Sequence, residues 1–83
     1  MIEKYELYKG ASVVVDYQRT GIDDLVDSFE EESNFEGFAI LDRIDLEAGE
    51  FFIEEFSRPI SLDYLIVFNH DAKEYEYYDA TRI

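Results

Sequence analysis

Apolar residues recur every second position along most of the chain, and every third or fourth position along one stretch. That change of period divides the sequence into short strands around one helix. Ser12-Val13-Val14-Val15-Asp16-Tyr17 is rich in β-branched and aromatic residues and reads as a strand. Ahead of it, residues 2–8 set Ile2, Lys4, Glu6 and Tyr8 against Glu3, Tyr5 and Leu7, and Lys9-Gly10-Ala11 is a turn signal. The two segments predict a hairpin over 2–18. Ile22, Leu25, Val26 and Phe29 then follow the i, i+3, i+4, i+7 spacing of an amphipathic helix over residues 20–32. Thr20 stands as its N-cap, with Asp23 in the capping-box position three residues on. The apolar four fall within one arc, and Asp23, Asp24, Asp27, Glu30 and Glu31 fall opposite it.

Asn34 and Gly37 mark the helix exit. Residues Phe38 to Leu46 read as a strand in which Phe38, Ile40, Ile44 and Leu46 share a face by period two. Asp42 interrupts that alternation and predicts a bulge or register shift nearby. Glu47-Ala48-Gly49-Glu50 is a turn, and Phe51 to Phe56 returns as a strand, although propensity alone also permits a helix over 45–56. Arg58-Pro59 closes that element. Leu62 to Phe68 is apolar on both faces, the pattern of a central, covered strand. Asn69-His70-Asp71-Ala72 is a turn, and Glu74 to Asp79 alternates as a last strand. The order β-β-α-β-β-β-β describes a single small α+β domain over 1–83, an antiparallel β-sheet with one amphipathic helix on a face. No internal repeat, linker or low-complexity segment interrupts it.

Composition confirms that such a domain has something to bury. Hydrophobic residues make up 47% of the chain and aromatics 17%, which separates it from disordered acidic sequences. Charge adds the unusual element. Asp and Glu number 21 against seven Lys and Arg, a formal net charge of -14. Self-repulsion of that size opposes folding and calls for compensation by a basic partner, by salt or by a bound cation. It also disfavours direct binding to nucleic acid or to an anionic membrane, where phosphate contacts need Lys and Arg. The chain has no cysteine, so disulfides and thiolate chemistry are absent. It has neither the basic start and apolar run of a signal peptide nor an apolar stretch long enough to cross a bilayer. A cytoplasmic location in a bacterial or archaeal host cell is expected.

Little in the sequence suggests catalysis, and no enzymatic activity is expected. The single histidine, His70, sits in a turn and reads as an exposed turn residue. Carboxylate pairs abound, but acid–base chemistry needs environments that drive two pKa values apart, and a solvated helix face supplies none. There is no glycine-rich phosphate loop and no zinc spacing. Asp42, Asp45, Glu47 and Glu50 gather at one turn without the spacing of a calcium loop, so no metal site and no cofactor are expected.

The carboxylates themselves are the candidate site. One run holds Asp23, Asp24, Asp27, Glu30, Glu31, Glu32 and Glu36 with no base among them. A second holds Asp42, Asp45, Glu47, Glu50, Glu54 and Glu55 with only Arg43 to offset them. Ordinary soluble surfaces intersperse both signs. A helix over 20–32 is roughly 20 Å long, a length over which duplex DNA carries roughly 12 charges. Six acids on that helix reach about half that density, and the second run lying alongside would approach the rest. Phe29, Phe38, Phe51, Phe52, Phe56 and Phe68 are expected mostly in the core. Tyr75, Tyr77 and Tyr78, interleaved with acids, suit a docking surface as well as packing across the sheet.

In size, charge and lack of catalytic groups the chain resembles the small acidic DNA mimics of phages and mobile elements, which block restriction, CRISPR or repair machinery. The resemblance implies an inhibitor that binds a basic nucleic-acid-binding protein such as a nuclease, CRISPR effector or restriction enzyme. The same physics would serve an immunity protein or antitoxin that masks a basic nuclease toxin. A domain from a salt-loving organism, whose acids serve solvation alone, fits less well with clustered acids and abundant Ile, Phe and Tyr.

Overall fold

The computed structural model describes residues 7–79. Strand β1 (Ser12–Val15) leads through a single 3₁₀ turn at Tyr17–Arg19 into helix α1 (Asp23–Glu31). Five strands follow: β2 (Phe38–Asp45), β3 (Glu50–Ile53), β4 (Phe56–Ser61), β5 (Leu65–Asn69) and β6 (Glu74–Tyr77). A second 3₁₀ turn, Leu62–Tyr64, separates β4 from β5. The six strands form one sheet in the order β4-β3-β2-β1-β5-β6, and every neighbouring pair is antiparallel. The α+β class and the antiparallel sheet with one amphipathic α-helix are as the residue pattern predicts. The strand read over residues 2–8 lies outside the described residues except for Leu7 and Tyr8, and these two are not in a strand.

One face of the sheet makes the core. Val13 and Val15 of β1, Ala39 and Leu41 of β2, Phe51 and Ile53 of β3, Ile60 of β4, and Leu65 and Val67 of β5 are all buried there. Leu25 and Phe29 of α1 close this layer, and the Phe29 ring lies 5.0 Å from the ring of the buried Tyr17. The i, i+4 spacing of Leu25 and Phe29 puts both on one side of α1, so the helix covers the sheet with an apolar stripe. Asn69 is the one buried polar residue among those described, and its amide makes three hydrogen bonds. It donates to Glu76 Oε1 (2.6 Å) and accepts from the backbone N–H groups of Asp71 and Ala72, which closes the β5–β6 hairpin.

The strand read from Leu62 begins only at Leu65, because Leu62–Tyr64 wind into the second 3₁₀ turn, and four further local features differ from the sequence reading. The helix starts at Asp23, with Ile22 rather than Thr20 as N-cap, because residues 17–19 have already wound into the 3₁₀ turn that Thr20 terminates. Thr20 still holds the junction: its hydroxyl donates to the Tyr17 carbonyl (2.7 Å) and accepts from the Ile22 N–H (3.2 Å). Thr20→Val removes both bonds at constant shape and is expected to cost about 1–2 kcal/mol, measurable by urea denaturation.

Second, β2 has the bulge that Asp42 announces, between Leu41 and Arg43. Its core face, however, is Ala39, Leu41 and, past the bulge, Ile44, while Phe38 and Leu46 are exposed. Third, Phe51 to Phe56 is two strands, because Glu54 and Glu55 form a tight turn. Fourth, Arg58-Pro59 lies inside β4 instead of ending it. Proline is tolerated there because β4 is an edge strand and one row of its N–H groups needs no ladder partner.

Candidate docking surface

Helix α1 presents its acids away from the sheet. Asp23, Asp24, Asp27, Glu30 and Glu31 are all exposed, and no basic residue occurs between Asp23 and Glu31. Asp27 is the centre of this group, since Asp23 and Glu31 stand four residues away and Asp24 and Glu30 three. Those are the spacings at which helix side chains are neighbours, roughly 5–6 Å apart at Cβ. Four like-charge pairs therefore converge on one carboxylate. Glu30 and Glu31 also sit in the last helical turn, where the helix dipole disfavours negative charge. Glu32 and Glu36 continue the acidic surface, exposed, into the turn that follows.

Only Asp24 of the helix acids has a basic partner among the described residues: Arg58 Nη2 of β4 donates to its Oδ2 at 2.9 Å. Both side chains are well exposed, so the pair adds little to stability. Its effect is positional, tying the first turn of α1 to the β4 edge of the sheet.

The second acidic run is spent differently. Asp42 pairs with Lys9 Nζ at 3.3 Å. Asp45 Oδ1 accepts from the Ala48 N–H (3.1 Å) and shapes the β2–β3 turn. Both carboxylate oxygens of Glu55 accept from the Ile40 N–H (3.1 Å each), while Glu54 donates its backbone N–H to the Ile40 carbonyl (2.9 Å). These contacts fasten the β3–β4 turn onto β2. Glu47 lies at the β2–β3 tip, and Glu50 stands directly opposite Asp45 in the ladder. Strand alternation puts Asp45 and Glu50 with Phe52, on the face of the sheet opposite the helix. Asp45 and Glu50 are thus separated from the helix acids by the sheet instead of lying beside them. Asp23, Asp27, Glu30, Glu31, Glu32 and Glu36 remain on the helix side without an ion pair or side-chain hydrogen bond among the described residues.

A second surface includes Tyr75 and Tyr77, which the sequence suits to docking, and extends across strands that the sequence did not mark. Across β6, β5, β1 and β2 the face of the sheet opposite α1 is largely apolar and has no covering layer among the described residues. One row crosses four strands: Tyr77, Ile66, Val14 and Phe38 are direct ladder partners in succession. Tyr75 and Phe68 form the next row, with ring centroids 5.2 Å apart, and Ile40 of β2 and Phe52 of β3 extend the same face. Phe38 is 44% exposed, Tyr75 51% and Tyr77 48%; the others are half-buried. Two arginines lie on it. Arg43 covers the Phe52 ring at 4.0 Å, and Arg19 lies 5.8 Å from the Tyr77 ring centroid while donating to its hydroxyl (3.2 Å). The Tyr77 hydroxyl donates to Asp16 Oδ2 (2.5 Å). That bonding, reinforced by the Asp16 charge, raises the pKa of the Arg19 guanidinium further. Tyr78 turns the other way and packs against the core, where burial, helped by the Asp79 charge, raises the pKa of its phenol. The available signal was the alternation of Tyr75 and Tyr77 with Glu74 and Glu76, which places both rings on one face.

His70 is exposed at the β5–β6 turn, edge-on to Phe68 at 5.1 Å. No group of three or more His, Asp or Glu among the described residues is placed to hold a metal ion. No helix among them is long and apolar enough to cross a membrane. Comparison with protein-family models, with curated proteins and with solved structures finds no match to this chain.

Proposed function

We propose that the protein is an inhibitor that docks on a basic nucleic-acid-handling protein, such as a nuclease, CRISPR effector or restriction enzyme, and occupies its DNA or RNA site. The observation that carries this reading is the outer face of α1, where four exposed carboxylates surround a fifth, Asp27, with no base in the helix. Five charges over nine residues, about 13 Å of helix, is roughly one per 2.7 Å, against one per about 1.7 Å in duplex DNA. The backbone fixes their spacing, so a Lys/Arg-lined channel meets them preorganised, and each charge-assisted hydrogen bond is about twice as strong as a neutral one. Like-charge crowding on this scale weakens the helix. It is what a binding surface looks like, where stability has been given up for function. Glu32 and Glu36 lengthen the array, and Glu47, Glu50 and Glu54 serve at the ends of the sheet, outside the central contact. The protein acts stoichiometrically, without cofactor or metal, in the cytoplasm of the host cell.

The test is capture on the immobilised protein from a bacterial lysate. The expected catch is a DNA- or RNA-binding protein that is released by excess duplex DNA or structured RNA and by raising salt from about 50 mM to about 500 mM, where the Debye length falls well below 10 Å. A captured protein that neither nucleic acid nor salt displaces would exclude mimicry of a polyanion.

A further inference from the structure

We propose that the face of the sheet opposite α1, which no described residue covers as a layer, is a dimer interface that takes a second copy of this chain. An antiparallel sheet with one face on the core ordinarily turns polar residues outward on the other. Here the outward residues of β6, β5, β1 and β2 are Tyr77, Ile66, Val14 and Phe38, with Tyr75, Phe68, Ile40 and Phe52 around them. Contiguous apolar surface of this extent on a soluble domain marks an interaction site.

The charges on the face identify the occupant. The molecule as a whole carries -14, and α1 carries five acids and no base, with Arg58 of β4 the one cation paired to it among the described residues. The sheet face instead carries Arg19 and Arg43 together with Asp16, Asp45 and Glu50, close to neutral. A strongly basic partner gains little there, because the arginines would face its positive charge. A second copy meets no such penalty: a two-fold axis through an isologous interface offers the arginines of each copy to the acids of the other. Asp45 and Glu50, like charges directly opposed in the ladder, gain from any cation that approaches them. Size is consistent with a reversible dimer. Five strands at about 4.8 Å spacing, over two to three residue rows, give roughly 500 Å² per copy, near the small end of specific interfaces. The pairing is expected in the micromolar range and leaves both α1 faces pointing outward. It does not depend on what the helix binds.

Sedimentation velocity across a hundredfold range of protein concentration tests this directly. The expected result is a monomer at the dilute end, a dimer at the concentrated end, and a shift toward dimer as salt rises, because salt screens the repulsion between two copies of charge -14. That salt response is opposite in sign to the one expected for a carboxylate–basic contact. Phe38→Glu and, separately, Tyr75→Glu place a charge in the interface at exposed positions and are expected to abolish dimerisation with circular dichroism unchanged. Should either variant fold poorly, the wild-type chain supplies the second readout, as concentration-dependent NMR shifts of the Val14 and Ile66 methyls. A wild-type chain that stays monomeric at every concentration and salt overturns the proposal and leaves the face to a different protein. A dimer that persists in both folded variants, or that leaves those methyl shifts unchanged, overturns it too.

Discussion

Gly37→Ala is expected to remove about 3 kcal/mol or more of stability, a large share of what a domain this size has. Gly37 enters β2 with φ +83, a left-handed conformation that costs an L-residue roughly 1–2 kcal/mol. Sterics add to that cost. A Cβ at this position falls inside contact distance of the Val15 carbonyl oxygen, which is backbone and cannot swing aside, and 3.3 Å from Cδ1 of the buried Tyr17 ring. The surroundings resist adjustment, because Gly37 accepts from the Val15 N–H (2.8 Å) and donates to the Asn34 carbonyl (3.1 Å). Asn34 is in turn clamped onto Phe38 by two side-chain hydrogen bonds, so the exit loop is knitted to the strand it feeds. Gly49→Ala is the control: its φ is +72, but nothing lies within 4 Å of the new Cβ. Urea denaturation is expected to show a loss of about 1–2 kcal/mol for Gly49→Ala and about twice that for Gly37→Ala. Equal losses would mean that close approach to β1 contributes nothing, and that backbone conformation alone explains the glycine.

How much of this molecule the residue pattern reveals depends on what each segment buries. The helix is legible because Ile22, Leu25, Val26 and Phe29 face the core while the rest of α1 meets water, so the period carries the information. Only its first turn is misplaced, since the preceding 3₁₀ turn is set by tertiary packing of Tyr17 and not by local propensity. Strand β2 defeats the same method. With apolar residues on both faces, alternation cannot say which side is the core. Read across the bulge, Phe38, Ile40, Ile44 and Leu46 form a false common face, whereas the extra residue at Asp42 shifts the phase so that Ala39, Leu41 and Ile44 belong together. The β3–β4 turn is hidden for another reason. Glu54 and Glu55 carry no turn signal, and their turn is held by Glu55 reaching across to the Ile40 N–H, a contact between segments 15 residues apart. The candidate site follows the same logic. The helix acids are placed by local periodicity and were legible, while the acids at 42–55 are distributed by a bulge and two turns and were not.

Reversing the central helix carboxylate is expected to move stability and binding in opposite directions. Asp27→Lys converts four like-charge pairs, with Asp23, Asp24, Glu30 and Glu31, into four attractive ones. Such pairs are worth about 0.2–0.5 kcal/mol each, so switching their sign gives a gain of about 1–2 kcal/mol after allowance for shared partners and imperfect orientation. In a domain of this length that raises the melting temperature by roughly 4–16 °C at low salt. The gain is expected to shrink toward zero in 1 M salt, where the Debye length is about 3 Å. Thermal melts of wild type and variant at both salt concentrations measure it. The same change strips the array of its centre. Asp23, Asp27 and Glu31, all reversed to lysine, leave the Asp24–Arg58 contact in place and should weaken capture of the basic partner at least about 100-fold, because three charge-assisted contacts become three repulsions. A variant that is more stable yet no longer binds identifies the crowding at Asp27 as a functional cost. If the triple variant instead captures its partner at full strength, α1 is a solvated face and the docking surface lies elsewhere. A stabilised Asp27→Lys alone, with capture intact, would show that the contact is carried by Glu32 and Glu36 beyond the helix. These outcomes separate the electrostatics of folding from those of recognition at one position, which no substitution on the sheet can do.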